Sequence, residues 1–136
     1  MELLGNENPA ASIPGEVIPK DIFYTYHEKY INETAELIIP APMPPDIVSK
    51  VQDLAIKAYQ ITDCAGMARV DFLVDRQNGE LFLNEINTIP GFTKISMYPK
   101  LWEATGLPYK ALIEKLIQLA MERKAQRDQT EREFRS

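Results

Sequence analysis

Apolar residues recur along the chain with two different spacings. In residues 45–61 they recur every three or four positions, which predicts an amphipathic helix beginning at Pro45. The same spacing predicts a helix from about Tyr109 to Lys124, with a shorter helix around residues 99–104. Residues 67–74 and 80–86 are instead rich in β-branched, aromatic and apolar residues, and a turn sequence separates them. The pattern therefore favours an α+β fold.

The remaining segments predict less regular structure. Short strands are expected at residues 16–19 and 23–26, and residues 29–45 read mostly as loop. After Lys124 the charges alternate and apolar residues almost disappear. We therefore expect one domain over residues 1–124, followed by a charged, frayed tail over residues 125–136.

Composition narrows the possible functions. The 136 residues suit a single domain. A net charge of -5 argues against binding of nucleic acid through overall electrostatic attraction. No apolar run approaches the roughly 20 residues that a membrane helix needs, so the expected location is the cytoplasm, without a membrane partner. The single Cys64 and single His27 exclude an internal disulfide and a zinc site with the common cysteine and histidine spacing.

The two central strands form a hairpin whose polar residues have a defined register. Arg69 and Asp71 share one face of the first strand, and Glu85 and Asn87 share one face of the second. A three-residue loop would set Asp71 opposite Glu85 and Arg69 opposite Asn87, whereas a two-residue loop would shift the pairing by one residue. We predict the three-residue loop, with Gly79 at positive φ.

That register predicts a cation site on one face and a core on the other. Two facing carboxylates repel unless a cation lies between them, and two carboxylates with an amide oxygen suit magnesium. The same charges are also explained by a solvent-exposed hairpin edge without a ligand. Arg69 favours the metal site, because a guanidinium beside a metal could neutralise the charge that develops on a reacting oxygen. The core face, apolar apart from Asn84, would carry Val70, Phe72, Val74, Phe82 and Ile86.

Several segments resemble the D-alanine–D-alanine ligases of the ATP-grasp superfamily. They are Arg69-Val-Asp71, the run from Asn84-Glu85-Ile-Asn87 through Gly91 to Ser96-Met97, Leu4-Gly5-Asn6, and Glu28-Lys29-Tyr30. The similarity extends from the first residues to about Lys124. It implies the C-terminal subdomain of an ATP-grasp fold, with a mostly antiparallel sheet and packed helices.

The resemblance also implies a role for each matching residue. Two Mg²⁺ ions, or Mn²⁺, would bridge the phosphates of ATP, held by Asp71, Glu85 and Asn87. Lys29, Asn84 and Glu85 would contact ATP. Arg69 and the amide of Gly91 would stabilise the tetrahedral intermediate. Ser96 and Met97 would hold the carboxylate of the second D-alanine, and Tyr30 would lie in a mobile loop that favours an amine acceptor.

The implied reaction joins two D-alanines through an acyl phosphate, as a step in making peptidoglycan precursors. The family's N-terminal and central lobes have no match here, and residues 1–4 begin as though cut from a longer strand. We therefore expect the isolated chain to be inactive, and to self-associate through the apolar surface that the missing lobes would cover. A non-catalytic nucleotide- or metal-binding remnant, or a ligase that uses D-lactate or D-serine, are the alternatives.

Overall fold

The computed structural model describes residues 1–18, 36–75, 77–93 and 95–133. Within them the elements are, in order, β1 (Glu2–Gly5), β2 (Ala10–Ala11), β3 (Glu16–Ile18), β4 (Glu36–Ile38), α1 (Pro45–Ile61), β5 (Gly66–Val74), β6 (Leu81–Asn87), α2 (Met97–Ala104) and α3 (Tyr109–Glu133). Strands and helices pack in one α+β unit, as predicted. The predicted strand at 23–26 and the predicted site residues Lys29 and Tyr30 lie outside the described residues.

The main sheet is antiparallel and has the strand order β2-β1-β5-β6. The short segment at residues 1–4 is thus an inner strand, with Leu3 paired to Ala11 on one side and to Ala68 on the other. β1 ends at Gly5, whose φ is 145°, and a Cβ there would lie 2.7 Å from the Cα of Pro9. Glycine is therefore required where this strand turns away from the sheet.

A second sheet of two strands adds a short strand to residues 29–45, which were predicted to be mostly loop. In the described part of that segment β4 pairs antiparallel with β3, with Val17 opposite Leu37. Three residues are too few to show a periodic pattern, and the partner strand is distant in sequence. The sequence alone therefore carries no clear signal for β4.

Two apolar clusters cover the two faces of the main sheet. Val51, Ala55 and Tyr59 of α1 pack on Leu3 and Val70. On the other face, a second cluster joins α2 and α3 to β1 and β5 through Leu4, Met67, Tyr98, Trp102, Leu112 and Leu119. Successive residues of β1 and β5 thus point into different clusters. Arg69 and Asp71 follow Met67 on the α2–α3 face, since side chains alternate along a strand.

The hairpin of β5 and β6 has the predicted register at Asp71 but a different turn. Asp71 pairs with Glu85, yet Phe72 pairs with Leu83, so Asn84 is an extra residue on β6 and forms a bulge. Asp75 and Glu80 bracket the turn, because the Asp75 N–H donates to the Glu80 carbonyl at 2.9 Å. Four residues lie between them instead of the predicted three.

The bulge also changes which side chains share a face. Leu73 pairs with Phe82, so Phe82 lies on the face of Asp71, whereas the prediction placed it in the core. Leu81 takes the core position and packs with Phe72 against the α1 cluster. The prediction of positive φ at Gly79 is confirmed at 72°.

α3 is longer than its apolar pattern indicates. The prediction of a helix end near Lys124 was wrong, because the helix continues to Glu133. Neither glycine nor proline interrupts residues 109–133, and the Lys124 ammonium binds the Asp128 carboxylate at 2.8 Å, one turn further on. Helix propensity and such pairs sustain the helix after the packing stripe has ended.

In the part of the chain that the structure describes, no helix is both long and apolar enough to cross a membrane.

Candidate functional site

The β5–β6 hairpin brings four of the predicted site residues to one face of the sheet. Asp71 lies opposite Glu85, and Arg69 lies opposite Asn87 in the neighbouring row. Opposed residues of an antiparallel pair point the same way, so the four side chains form two adjacent rows. The predicted placement of these residues on one face is confirmed.

Arg69 lies between the two carboxylates. Its Nε is 2.9 Å from Asp71 Oδ1, and its Nη2 is 2.9 Å from Asp71 Oδ2. The same Nη2 is 3.3 Å from Glu85 Oε1. Burial works against the charge on Arg69, but the hydrogen bonds and charge of Asp71 outweigh it, so the pKa of Arg69 is raised. A cation is thus already held where the facing carboxylates require one.

The described residues offer oxygen donors for a divalent ion, but no dense acidic cluster. No group of three or more histidine, cysteine, aspartate or glutamate side chains gathers among them. The donors are the carboxylates of Asp71 and Glu85 and the amide of Asn87, whose Oδ1 accepts a hydrogen bond from the Ile89 N–H at 3.0 Å. Two carboxylates fit Mg²⁺, which takes few protein ligands and completes its octahedron with water and phosphate oxygens.

The loop after β6 leads the chain to the start of α2. Ser96 is the residue before the helix, and its Oγ accepts a hydrogen bond from the Thr93 N–H at 2.9 Å. A Cβ on Gly91 would lie 3.1 Å from that Oγ, so the predicted Gly91 and Ser96 are close neighbours. A Cβ on Gly15 would lie 2.7 Å from the Cε of Met97, which places the Met97 side chain against the loop between β2 and β3.

The structure adds Glu2 to the surroundings of the site, a residue that the sequence did not point to as functional. Glu2 pairs with Arg69 across β1 and β5 and is fully buried. Neither of its carboxylate oxygens has a hydrogen-bond partner among the described residues. Burial raises the pKa of Glu2 to about 7, although the Met1 ammonium and Arg69 favour its charged form. The only signal in the sequence was one acidic residue in an apolar strand.

The buried carboxyl of Glu2 should make stability depend on pH. Its pKa rises from 4.5 to about 7 on folding, so its contribution is fully present below pH 4.5 and is lost as the pH rises through 7. Glutamine stays uncharged at every pH. As the pH rises from 4.5 to above 7, the free energy of unfolding of Glu2→Gln should therefore increase by about 3 kcal/mol relative to that of the parent chain. Urea unfolding at a series of pH values measures this difference.

The control is Glu7→Gln, which removes the same charge from an exposed residue. Because Glu7 is exposed, this substitution should change the free energy of unfolding little. A stability difference between Glu2→Gln and the parent that stays constant from pH 4 to pH 8 would contradict the assignment.

Comparison with known proteins identifies the family of this chain. Residues 1–118 match the family model described as D-ala D-ala ligase C-terminus. The D-alanine–D-alanine ligase of Thermoanaerobacter sp. (strain X514) is 59% identical over 121 residues, which are 88% of this chain and 34% of that protein.

Two solved structures have the same fold. The D-alanine-D-alanine ligase from Coxiella burnetii superposes with a TM-score of 0.85 and 42% identity, over 98% of this chain and 34% of that one. The VanG D-Ala:D-Ser ligase from Enterococcus faecalis superposes with a TM-score of 0.76 and 32% identity, over 87% of this chain and 34% of that one. The chain thus spans about a third of the length of these relatives, and by its matched residues and its fold it belongs to the D-alanine–D-alanine ligase C-terminal family.

Proposed function

We propose that this chain is the C-terminal, ATP- and metal-binding part of an ATP-dependent D-alanine–D-alanine ligase of the ATP-grasp type. The observation that carries the proposal is the hairpin register, in which Asp71 faces Glu85 and Arg69 lies between them. The sequence around these residues matches ligases, and the facing carboxylates are suited to a metal–phosphate complex. Its product would be a peptidoglycan precursor, made in the bacterial cytoplasm.

The roles of the metal ligands follow from the donors on the hairpin. Asp71, Glu85 and Asn87 would hold Mg²⁺, or Mn²⁺ in its place. The bound ions would neutralise the phosphates of ATP during phosphoryl transfer. Asn84, at the bulge beside Glu85, would contact the nucleotide. Its exposed position at the bulge is compatible with that contact.

Arg69 and the loop after β6 would act on the reacting carbonyl. The carboxylate of the first D-alanine attacks the γ-phosphate of ATP and gives an acyl phosphate and ADP. The amine of the second D-alanine then attacks the acyl carbon, and phosphate leaves. Arg69 would stabilise the oxyanion together with the Gly91 N–H. Ser96 and Met97, at the start of α2, would bind the carboxylate of the second substrate near backbone amides.

An exposed apolar surface lies next to Asp71 and Glu85, and it supports the proposal that a further lobe packs there. Leu73 and Phe82 are 61% and 48% exposed and form a cross-strand pair on the face of Asp71. Exposed apolar area of this kind is typical of a surface that another element or a ligand covers. We propose that the other lobes of a complete ligase close over it, with ATP between the two sheets.

The test exchanges the matching segment of the Thermoanaerobacter ligase for this chain. We expect the purified chimera to release phosphate steadily with ATP, Mg²⁺ and D-alanine, and the isolated 136-residue chain to release none. Steady turnover by the isolated chain would contradict the need for the other lobes. A chimera that is folded and binds ATP but is inactive would favour a non-catalytic nucleotide-binding role.

The same assay decides the second substrate. We propose D-alanine. The resemblance places Tyr30 where the family carries a tyrosine for an amine acceptor, which argues against D-lactate. Identity is higher to the Thermoanaerobacter D-alanine–D-alanine ligase, at 59%, than to VanG, for which D-serine is named, at 32%. D-Alanine, D-serine and D-lactate are supplied separately to the chimera. Faster turnover with D-serine or D-lactate would contradict D-alanine as the acceptor while leaving the ligase assignment intact.

A further inference from the structure

The buried carboxyl of Glu2 lies beside Arg69, the residue proposed to act on the reacting carbonyl. β5 lies between β1 and β6 in the sheet, so Arg69 has Glu2 opposite it on one side and Asn87 on the other. Directly opposed residues of an antiparallel pair have Cβ atoms about 5 Å apart and point to the same face. The side chains of Glu2 and Arg69 therefore project side by side, within reach of each other.

On the α2–α3 face, no described side chain hydrogen-bonds to Glu2. The hydroxyl of Tyr98 donates to a backbone carbonyl of β1, and the buried indole nitrogen of Trp102 makes no hydrogen bond in the described part of the chain. Burial opposes the ionised form of Glu2, whereas the Met1 ammonium and Arg69 favour it. Among the described side chains, Arg69 is therefore the cation that supports a negative charge on Glu2.

Arg69 has carboxylates on an open side and on a buried side. On the open side its Nε and Nη2 contact Asp71 and Glu85, whose side chains are 32% and 42% exposed. These two carboxylates are also the proposed metal ligands, so Arg69 and a divalent ion have to share them. Glu2 is fully buried, and an ion from solution does not reach it. Of the three carboxylates, Glu2 is thus the one that Arg69 would not share with a metal.

We propose that Glu2 is a positioning residue for Arg69, whose carboxylate holds the guanidinium in place while Asp71 and Glu85 bind a divalent ion. The charge of Arg69 is then balanced from the buried side, and both proposed metal ligands keep their full charge for the ion. This inference rests on the proposed ligase function, because that function gives Arg69 its role at the reacting carbonyl.

The cost of burying Glu2 separates this role from a purely structural one. Glu2→Gln removes that cost above about pH 7, so the variant is expected to be more stable than the parent there. A residue that affected turnover only through the stability of the fold would change both in the same direction. Residues that lower stability and support function are typical of active sites. Glu2→Gln should therefore raise stability and lower turnover.

The first test measures the interaction between Glu2 and Arg69 in the 136-residue chain. Urea unfolding at about pH 8 is followed for the parent, Glu2→Gln, Arg69→Gln and the double variant. Arg69→Gln should lower the folding equilibrium constant at least about tenfold more in the parent than in Glu2→Gln, because it leaves a buried carboxylate without its cation. A second cycle combines Arg69→Gln with Glu7→Gln, at an exposed position, and should be additive. Additivity in both cycles would overturn the proposal.

The second test measures the turnover of the chimeric ligase at about pH 8 with ATP, Mg²⁺ and D-alanine. Glu2→Gln should lower kcat by about tenfold, as expected for a residue that supports a reacting group without touching the substrate, and should leave KM for D-alanine within about twofold. Glu2→Asp keeps the charge and should recover to within about threefold of the unsubstituted chimera. Glu7→Gln is again the control and should stay within about twofold.

The outcomes distinguish this inference from the ligase assignment. A folded but inactive unsubstituted chimera would overturn the proposed function, and the positioning role of Glu2 with it. An active chimera in which Glu2→Gln turns over as fast as the unsubstituted protein would overturn the role of Glu2 alone. A loss in Glu2→Asp as large as that in Glu2→Gln would do the same, because the charge would then not be what positions Arg69.

Discussion

The chimeric ligase with Glu85→Gln is expected to turn over at least about a hundredfold more slowly than the unsubstituted chimera. The substitution keeps the size of the side chain but removes one of the two facing charges. The remaining carboxylate, Asp71, is already bound by two nitrogens of Arg69, so a divalent ion would compete with a guanidinium for one acid alone. The variant should therefore also need a higher Mg²⁺ concentration for half-maximal turnover. Phosphate release measured across a Mg²⁺ titration gives both quantities.

Glu80→Gln is a matched control for this prediction. Glu80 lies at the turn of the same hairpin and is exposed, so the substitution removes the same charge close to the site without touching it. Its turnover should stay within about twofold of the unsubstituted chimera, as for most exposed substitutions. Equal losses from both variants would show that Glu85 acts only through the general charge of the hairpin.

Truncation of Tyr59 is expected to cause a large loss of stability. The Tyr59 side chain is fully buried between α1 and β1, and its hydroxyl donates to the Gly5 carbonyl at 2.7 Å. Tyr59→Ala should lower the free energy of unfolding by about 3 to 5 kcal/mol, through lost burial and the cavity that remains. Tyr59→Phe keeps the ring and should cost about 1 to 2 kcal/mol, the contribution of the buried hydrogen bond. Urea unfolding followed by circular dichroism measures both variants.

Tyr98 and Tyr109 provide comparisons on the other face of the sheet. Tyr98 donates to the Leu3 carbonyl at 2.8 Å and is 1% exposed, so its alanine and phenylalanine variants should show the same ranking as those of Tyr59. Tyr109 is 43% exposed, and Tyr109→Ala should cost less than about 1 kcal/mol. Equal losses at Tyr109 and Tyr59 would contradict the role assigned to the buried ring.

Much of the site could be predicted because its residues are close in sequence. The alternation of polar and apolar residues along β5 and β6 identified the face that Asp71 and Glu85 share. The predicted length of the turn was wrong. The bulge at Asn84 restores the predicted pairing of Asp71 with Glu85, but Phe82 lies on the face opposite to the predicted one. A bulge depends on backbone conformation and twist, which a pattern of residue types does not specify.

The features that were missed depend on contacts between distant segments. β4 pairs with β3 across a long stretch of sequence, so its three residues carry no signal of their own. The burial of Glu2 results from the position of β1 inside the sheet, which the sequence does not indicate. The extension of α3 to Glu133 was missed because apolar periodicity indicates packing, whereas helix propensity and the Lys124–Asp128 pair sustain the last turns.

The position of β1 has a consequence for how the molecule unfolds. Leu3 belongs to the α1 cluster and Leu4 to the α2–α3 cluster, so one strand contributes adjacent residues to both. Detaching β1 from its distant partner β5 would expose both clusters at once, and neither layer of helices would keep its full support. We therefore expect the two layers to melt in a single cooperative transition, and the docking of β1, which closes a long loop, to limit the rate of folding.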